Sequence, residues 1–176
     1  EILARLIELG NTQVFISMVT NGSVTLSEHQ KSILQQFKNL NFCISIDGTD
    51  LLFEYIRYPL RWEQLNRNIQ FMRSLTDNIS ASYTLSNLNI FAHEQTVAWF
   101  DANCIPYNYN IVYSPEYFQP WALPPELFDP LKERYSFLSG QQADLELHKQ
   151  CIAELRRQDA LKGMDFTESL NPEFLS

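Results

Sequence analysis

The sequence predicts an α/β fold in which parallel strands alternate with helices. Four short β-rich runs recur at intervals of about 30 residues, the length of a βα repeat, and segments with helical spacing of apolar residues separate them. Each of the four runs also ends in polar or small residues. Because strands joined by right-handed crossovers are parallel, we expect all four polar ends at one edge of the sheet.

The first predicted elements are two helices on either side of a strand. The spacing of apolar residues predicts a helix from Ile2 that stops at Gly10, and glycine is favoured just after helix ends. A β-rich run follows at Gln13–Thr20. The next predicted helix is Glu28–Phe37, with Ser27 as its N-cap because a serine side chain accepts hydrogen bonds from the first free N–H groups of a helix.

The remaining elements continue the same alternation. They are the strand Asn41–Ile46, the helix Trp62–Leu75, the strand Ile79–Leu85, the helix Ala92–Asn103 and the strand Tyr107–Tyr113. Proline and aromatic residues then interrupt the pattern, and two further helices are predicted at Glu126–Leu138 and Gln141–Leu161. We therefore expect two parts: residues 1–114 contain the βα units, and residues 115–176 form a Pro/aromatic linker and a helical C-terminal extension.

Composition and charge exclude several classes of function. The chain has 13 Lys and Arg against 21 Asp and Glu, which gives a net charge of -8, so binding to a nucleic-acid backbone is not expected. No apolar run approaches the ~20 residues of a membrane span. The cysteines Cys43, Cys104 and Cys151 lie far apart, which argues against a disulfide framework. We expect a cytoplasmic protein.

The second predicted strand and the loop after it contain the strongest candidates for a binding site. In α/β proteins, ligands bind beyond the carboxyl ends of the strands, so Ser45, Asp47 and Arg57 are expected at a binding rim. Asn21 and Asn87 follow the neighbouring strands. Structural alternatives stay open, because Asp47 and Asn21 could belong to turns and Arg57 to a surface ion pair that contributes ~0–1 kcal/mol.

Three fragments in fixed order resemble a known family. They are VTNGS at 19–23, ISIDG at 44–48 followed by YIRYP at 55–59, and ASYTLSNLN at 81–89. Over about residues 1–114 the chain resembles the radical S-adenosylmethionine (radical SAM) family, and in particular its SPASM/twitch branch, which acts on peptides. The tail DFTESLNPEF at 165–174 is similar to the end of such proteins. The resemblance implies a partial TIM-type barrel fragment of about four parallel βα units.

The resemblance also implies a cofactor site. Members of the family bind S-adenosylmethionine and a [4Fe-4S] cluster, and they generate a 5′-deoxyadenosyl radical. By this resemblance Ser45 would hydrogen-bond the ribose. Arg57 would bind the methionyl carboxylate, a group that a guanidinium fork meets in two parallel bonds. Ile111 and Val112 would line the adenine pocket. The other rim candidates, for cofactor or substrate, are Asn21, Asp47 and Asn87.

The sequence departs from the family at both of its cofactor motifs. In the family a CxxxCxxC loop holds the cluster and a GGEP-like motif holds the methionyl amine, but this sequence contains neither. An iron–sulfur cluster requires thiolates at suitable spacing. We therefore expect that the strands carrying both motifs are absent from this chain, which alone would bind no cluster or cofactor and catalyse no reaction. The parent would be a radical SAM enzyme with a peptide or protein substrate.

Two other interpretations stay open. The chain could be a degenerate, non-catalytic α/β module that binds a nucleotide or a peptide, or an ordinary barrel fragment whose motifs match by chance. None of these interpretations involves a nucleic acid or a membrane. If strands are missing, one side of Gln13–Thr20 has no partner, and such an apolar edge strand favours self-association.

Overall fold

The computed structural model describes residues 1–170 and residue 174. Its sheet contains four parallel strands in the order β1-β2-β3-β4. They are β1 (Phe15–Thr20), β2 (Asn39–Ser45), β3 (Ile79–Leu85) and β4 (Tyr107–Ile111). The predicted α/β fold with four parallel βα units is therefore confirmed.

Helices connect the strands and follow the last one. Within the described residues they are α1 (Ile2–Glu8), α2 (Glu28–Leu34), α3 (Asp50–Ile56), α4 (Trp62–Arg73), α5 (His93–Ala102), α6 (Pro125–Arg134), α7 (Leu145–Lys162) and α8 (Phe166–Ser169). In this part of the chain no helix is long and apolar enough to cross a membrane.

The two C-terminal helices differ from their predicted bounds for local reasons. Helix α6 ends at Arg134 because the backbone of Tyr135 is extended, and a short 3-10 turn follows. Helix α7 begins four residues later than the predicted start at Gln141, because Asp144 is its N-cap. The Asp144 carboxylate accepts hydrogen bonds from the next free N–H groups, at 3.0 and 2.9 Å.

The two faces of the sheet differ in polarity. On one face, alternate residues such as Leu40, Phe42 and Ile44 of β2 are buried in the hydrophobic core. The other face, which we call the open face, carries mostly hydroxyl and amide side chains that are exposed or half-buried, together with the exposed apolar side chains of Phe15 and Val19 on β1. It includes Ser17, Asn41, Cys43, Ser45, Ser80, Ser82, Thr84, Asn108 and Asn110. Parallel sheets usually have both faces covered by apolar contacts, so this polarity marks a surface suited to hydrogen bonding.

The C-terminal part shares the hydrophobic core of the sheet. Apolar side chains after residue 114 join the same cluster as the strand residues; they include Leu123, Phe128, Leu138, Cys151 and Leu155. The division at residue 114 stays a prediction. Within the described residues, the tail that resembles the family contributes α8, and part of it lies outside the described residues.

Strand β1 forms one edge of the sheet. Its side chains Phe15 and Val19 are 68% and 77% exposed. We expect self-association through this edge, and Val19→Lys should weaken it because a charge on an edge strand opposes pairing with another chain. Light scattering across a concentration series measures the effect. Tyr113→Lys, which adds the same charge at a position that is 88% exposed and outside the four strands, is the control. A wild-type protein that stays monomeric throughout would contradict this expectation.

Gly22, just after β1, packs closely against helix α4. Its φ angle is +68°, and a Cβ atom there would lie 2.4 Å from Cδ1 of Leu65. We expect Gly22→Ala to lower the free energy of unfolding by about 2–4 kcal/mol, from the left-handed backbone and the overlap together. Gly10→Ala is a matched control, because Gly10 has the same φ angle but open space around it. Urea unfolding that gave both variants equal losses would exclude the steric contribution.

Candidate functional site

The candidate site lies at the carboxyl ends of β2 and β3. Ser45 is the last residue of β2, and its side chain lies on the open face. Asp47 follows two residues later, so the alternation of an extended chain directs it to the same side. Its side chain is only 8% exposed. Helix α3 then begins at Asp50, and its C-cap is Arg57. One short helix therefore brings Arg57 back to the strand from which it started.

Asp47 and Arg57 form an ion pair at this rim. A terminal guanidinium nitrogen of Arg57 lies 2.6 Å from Oδ2 of Asp47. The other carboxylate oxygen, Oδ1, accepts a hydrogen bond of 2.8 Å from the backbone N–H of Thr84 on β3. The Nε atom of Arg57 is buried and has no hydrogen-bond partner among the described residues. The pair thus contains one unsatisfied donor of the kind that binds a carboxylate.

The environment of Asp47 raises the pKa of its carboxyl group. Burial is the largest cause, and it outweighs the opposing effects of the Arg57 guanidinium and the Thr84 N–H. The interactions of Asp47 with Arg57 and Thr84 therefore do not fully offset the cost of burying its negative charge. A carboxyl group shifted by burial beside a specific charged partner is typical of a functional site, although ion pairs in a purely structural role can show the same shift.

Two cavities meet at Asp47. The rim cavity, of about 430 Å³, is lined by Asn21, Asp47 and Arg57 together with the apolar side chains of the loop after α3. The inner cavity, of about 260 Å³, lies between the ends of β2, β3 and β4 and helix α7. Asp47 and Ile56 line both cavities. The two cavities are therefore adjacent, and a single ligand could reach from Arg57 into the inner cavity.

Four of the predicted site residues line these two cavities. Asn21, Asp47 and Arg57 line the rim cavity, and Val112 lines the inner cavity with Asp47. Asn21 also makes a local turn, because its Oδ1 accepts hydrogen bonds from the N–H and the hydroxyl of Ser23. Asn21 therefore both stabilises a turn and lines the rim cavity.

The other three predicted site residues lie elsewhere. Ser45 is on the open face and is not among the residues that line the two cavities. Ile111 pairs in register with Leu85, whose side chain is in the core, so Ile111 lies on the face opposite Val112. Asn87 is fully buried. The structure thus separates Ile111 and Asn87 from the pair at the rim.

Asn87 contacts the C-terminal part of the chain. Its amide nitrogen donates to the carbonyl oxygens of Tyr117 and Ala122, at 2.9 and 3.1 Å, and contacts Sγ of Cys151 at 3.4 Å. Its backbone N–H donates to the carbonyl of Phe118. These contacts hold the segment after β4 against the end of β3.

Several residues of the site were not found from the sequence. Asn89 is fully buried, and its amide nitrogen donates to the carbonyls of Asp47 and Thr84, at 2.9 and 2.8 Å. The alternation of β3 could have indicated Thr84, which lies on the open face. Gln158 and Lys162 line the inner cavity from helix α7, and nothing in their local sequence indicates this.

The cysteines do not form a ligand set for an iron–sulfur cluster. Cys43 is on β2, Cys104 is exposed after α5, and Cys151 is buried in α7. Burial raises the pKa of the Cys151 thiol to about 12, which disfavours the thiolate that a cluster needs. Among residues 1–170 and 174, no three or more His, Cys, Asp or Glu side chains are grouped so that they could hold a metal ion.

Neither a family model nor a curated protein matches this sequence. The structure is similar to solved structures of anSMEcpe. The native form with bound AdoMet matches with a TM-score of 0.54 and 14% identity, covering 93% of this chain and 49% of that chain. Native anSMEcpe with bound AdoMet and Cp18Cys peptide matches with a TM-score of 0.53 and 15% identity, covering 81% of this chain and 45% of that chain. This chain therefore spans about half the length of these structures, and at this identity the likeness shows the fold alone.

The raised pKa of Asp47 predicts a pH dependence of stability. The folded state keeps the Asp47 proton at pH values where the unfolded chain, with an ordinary value of 3.8, has released it. Stability relative to Asp47→Asn should therefore be greatest below that value and fall as the pH rises through the folded-state pKa. Urea unfolding of both proteins across acidic and neutral pH measures this difference.

Asp50→Asn is the control for this experiment. It removes an exposed carboxylate three residues away, at a position with a φ of +52° that asparagine tolerates. An increase in the relative stability of the wild-type protein with rising pH would mean that Arg57 and Thr84 outweigh burial, and it would contradict the prediction.

Proposed function

We propose that this chain is the S-adenosylmethionine-binding part of a radical SAM enzyme. The observation that carries the proposal is the ion pair of Asp47 and Arg57 at the carboxyl end of β2. The Nε donor of Arg57 is buried and unsatisfied, and Arg57 lines the rim cavity. The likeness of the fold to anSMEcpe, solved with bound AdoMet, and the ISIDG and YIRYP fragments support the same ligand.

In this proposal Arg57 binds the methionyl carboxylate. Asp47 accepts from one guanidinium nitrogen and so orients the group, which leaves Nε for the ligand. The preorganised fork then donates to the carboxylate without losing its ion pair. Ser45 donates to the ribose from the open face, and Asn21 contacts the cofactor from the far side of the rim cavity.

The adenine base belongs in the inner cavity beside Val112. We leave Asn87 and Ile111 out of the proposed site. The amide nitrogen of Asn87 is occupied by backbone carbonyls, and Ile111 lies on the core face of the sheet.

The chemistry of the parent enzyme depends on a cluster that the described residues do not fit. In such an enzyme a reduced [4Fe-4S] cluster would supply the electron for the chemistry of the bound S-adenosylmethionine. The residues of this chain hold the cofactor by its carboxylate, ribose and base, and we propose that the cluster thiolates come from residues outside this chain. We derive no radical step for the chain by itself.

The second candidate function is a non-catalytic module that binds a nucleotide or a peptide. The open face favours it, because a row of hydroxyl and amide groups can hydrogen-bond an extended backbone. The likeness to anSMEcpe, which was also solved with bound Cp18Cys peptide, supports a peptide partner for either candidate. Affinity for S-adenosylmethionine above that for ATP favours the first candidate, and the reverse order favours the second.

Calorimetric titration with S-adenosylmethionine tests the proposal. The sequence alone led us to expect no bound cofactor in this chain, but the Arg57 donor at the rim cavity leads us to expect that the wild-type chain binds S-adenosylmethionine. Arg57→Gln should bind it at least about tenfold more weakly, because a hydrogen bond to a charged group is worth about 1.5–3 kcal/mol. Arg61→Gln is the matched control. Arg61 forms a comparable ion pair with Glu54, but its side chain is 74% exposed and does not line the rim cavity.

Loss of Arg57 also leaves the buried Asp47 without its cation, which lowers stability. The double variant Asp47→Asn, Arg57→Gln removes both charges and separates binding from folding. A wild-type chain that does not bind S-adenosylmethionine, or an Arg57→Gln variant with unchanged affinity, would refute the proposed role of the rim.

A further inference from the structure

Helix α7 contributes polar side chains to the inner cavity from a distant part of the sequence. Gln158 and Lys162 line this cavity, opposite Asp47 and Thr84 at the strand ends. They come more than seventy residues after β3 in the sequence. The proposed function, as derived from the motifs, uses neither of them.

The inner cavity has the size of a pocket for part of a ligand. Its volume of about 260 Å³ is below the ~300–1,000 Å³ of pockets that enclose a whole ligand, so it fits part of a larger molecule. Tyr55, Ile56, Leu88 and Phe118 supply apolar walls, while hydroxyl and charged groups line the rest. Apolar walls combined with a few hydrogen-bonding groups suit a nitrogen heterocycle.

Lys162 is positioned by two acceptors on the wall of the cavity. Its ammonium nitrogen donates to the carbonyl of Tyr55 at 3.1 Å and to Oε1 of Gln158 at 2.9 Å. It also lies 4.4 Å from the centroid of the Tyr55 ring. An ammonium group has three N–H donors, so one donor remains for a ligand. Burial also lowers the pKa of Lys162, which agrees with a partly desolvated position.

A separate contact attaches α7 to α3. The Tyr55 hydroxyl donates to Oδ1 of Asp159 at 2.8 Å, and Oδ2 of Asp159 accepts from the N–H of Phe166 at 3.0 Å. Asp159 does not line the inner cavity. Its partner Tyr55 does line the cavity, but Asp159 can be changed without changing a side chain of α7 that lines it.

We propose that Lys162 is a specificity-determining residue that donates a hydrogen bond to an acceptor nitrogen of the adenine base. The proposal rests on the proposed binding of S-adenosylmethionine and extends it to a residue outside the motifs. Arg57 then recognises the amino-acid end of the cofactor and Lys162 its base. The C-terminal part completes the site instead of merely covering the sheet.

Two ligands and four variants test this assignment. S-adenosylmethionine carries both ends, whereas 5′-methylthioadenosine lacks the carboxylate. Lys162→Met should weaken both ligands at least about tenfold, while Arg57→Gln should weaken S-adenosylmethionine and leave 5′-methylthioadenosine unchanged. Lys162→Gln loses the charge and keeps two N–H donors, which can donate to the Tyr55 carbonyl and to Oε1 of Gln158, so no donor remains for a ligand. It should reproduce the loss, and it serves as the test if Lys162→Met does not fold.

Asp159→Ala is the structural control. It removes the hydrogen bonds of Asp159 to the Tyr55 hydroxyl and the Phe166 N–H. It keeps the bond from Lys162 to the Tyr55 carbonyl and all side chains that line the cavity, so affinity should stay within about threefold of wild type even where thermal unfolding occurs earlier. Equal losses in Asp159→Ala and Lys162→Met would overturn the proposal, since Lys162 would then act only through the position of α7. Unchanged affinity in the Lys162 variants would also overturn it and leave the proposed function intact. A wild-type chain that binds neither ligand would refute both.

Discussion

The hydrogen bonds that join the ends of β2 and β3 determine the arrangement of the rim. Asn89 donates to the carbonyls of Asp47 and Thr84, and the Asp47 carboxylate accepts from the N–H of Thr84. These bonds continue the pairing of the strands beyond the register pair of Ser45 and Ser82. Because the groups are buried, loss of one bond costs about 1–3 kcal/mol. The orientation of Asp47, and through it that of the guanidinium, therefore follows from this network.

The C-terminal part is attached to the same edge of the sheet by a second buried asparagine. Asn87 holds the carbonyls of Tyr117 and Ala122, so the segment after β4 turns back over the strand ends. Helix α7 follows and reaches α3 through Asp159 and Tyr55. Residues from distant regions of the chain thus line the inner cavity. The two asparagines of this loop thus stabilise different contacts. Asn89 joins the ends of β2 and β3, and Asn87 binds the segment after β4.

The polar residues at the strand ends could be predicted from the sequence. The residues that reach the cavities from other parts of the chain could not. Alternation along β2 and the short connection to Arg57 are local features, and they correctly place Asp47 and Arg57 near each other. The position of Ile111 depends on the register of β4, which a single strand does not specify. Lys162 lies in a helix of mixed polarity, so its place at the cavity results from tertiary packing alone. Asn87 shows that a polar side chain after a strand can hydrogen-bond backbone carbonyls instead of a ligand.

The hydroxyl and amide groups of the open face also constrain the thermodynamics of whatever covers it. Serine, threonine and asparagine side chains such as Ser82, Thr84 and Asn110 are hydrated when exposed, and each must regain a hydrogen bond when water leaves. A covering chain would therefore retain bridging waters, on the order of one per 100 Å² of contact. Its association should show a favourable enthalpy and only a small negative change in heat capacity.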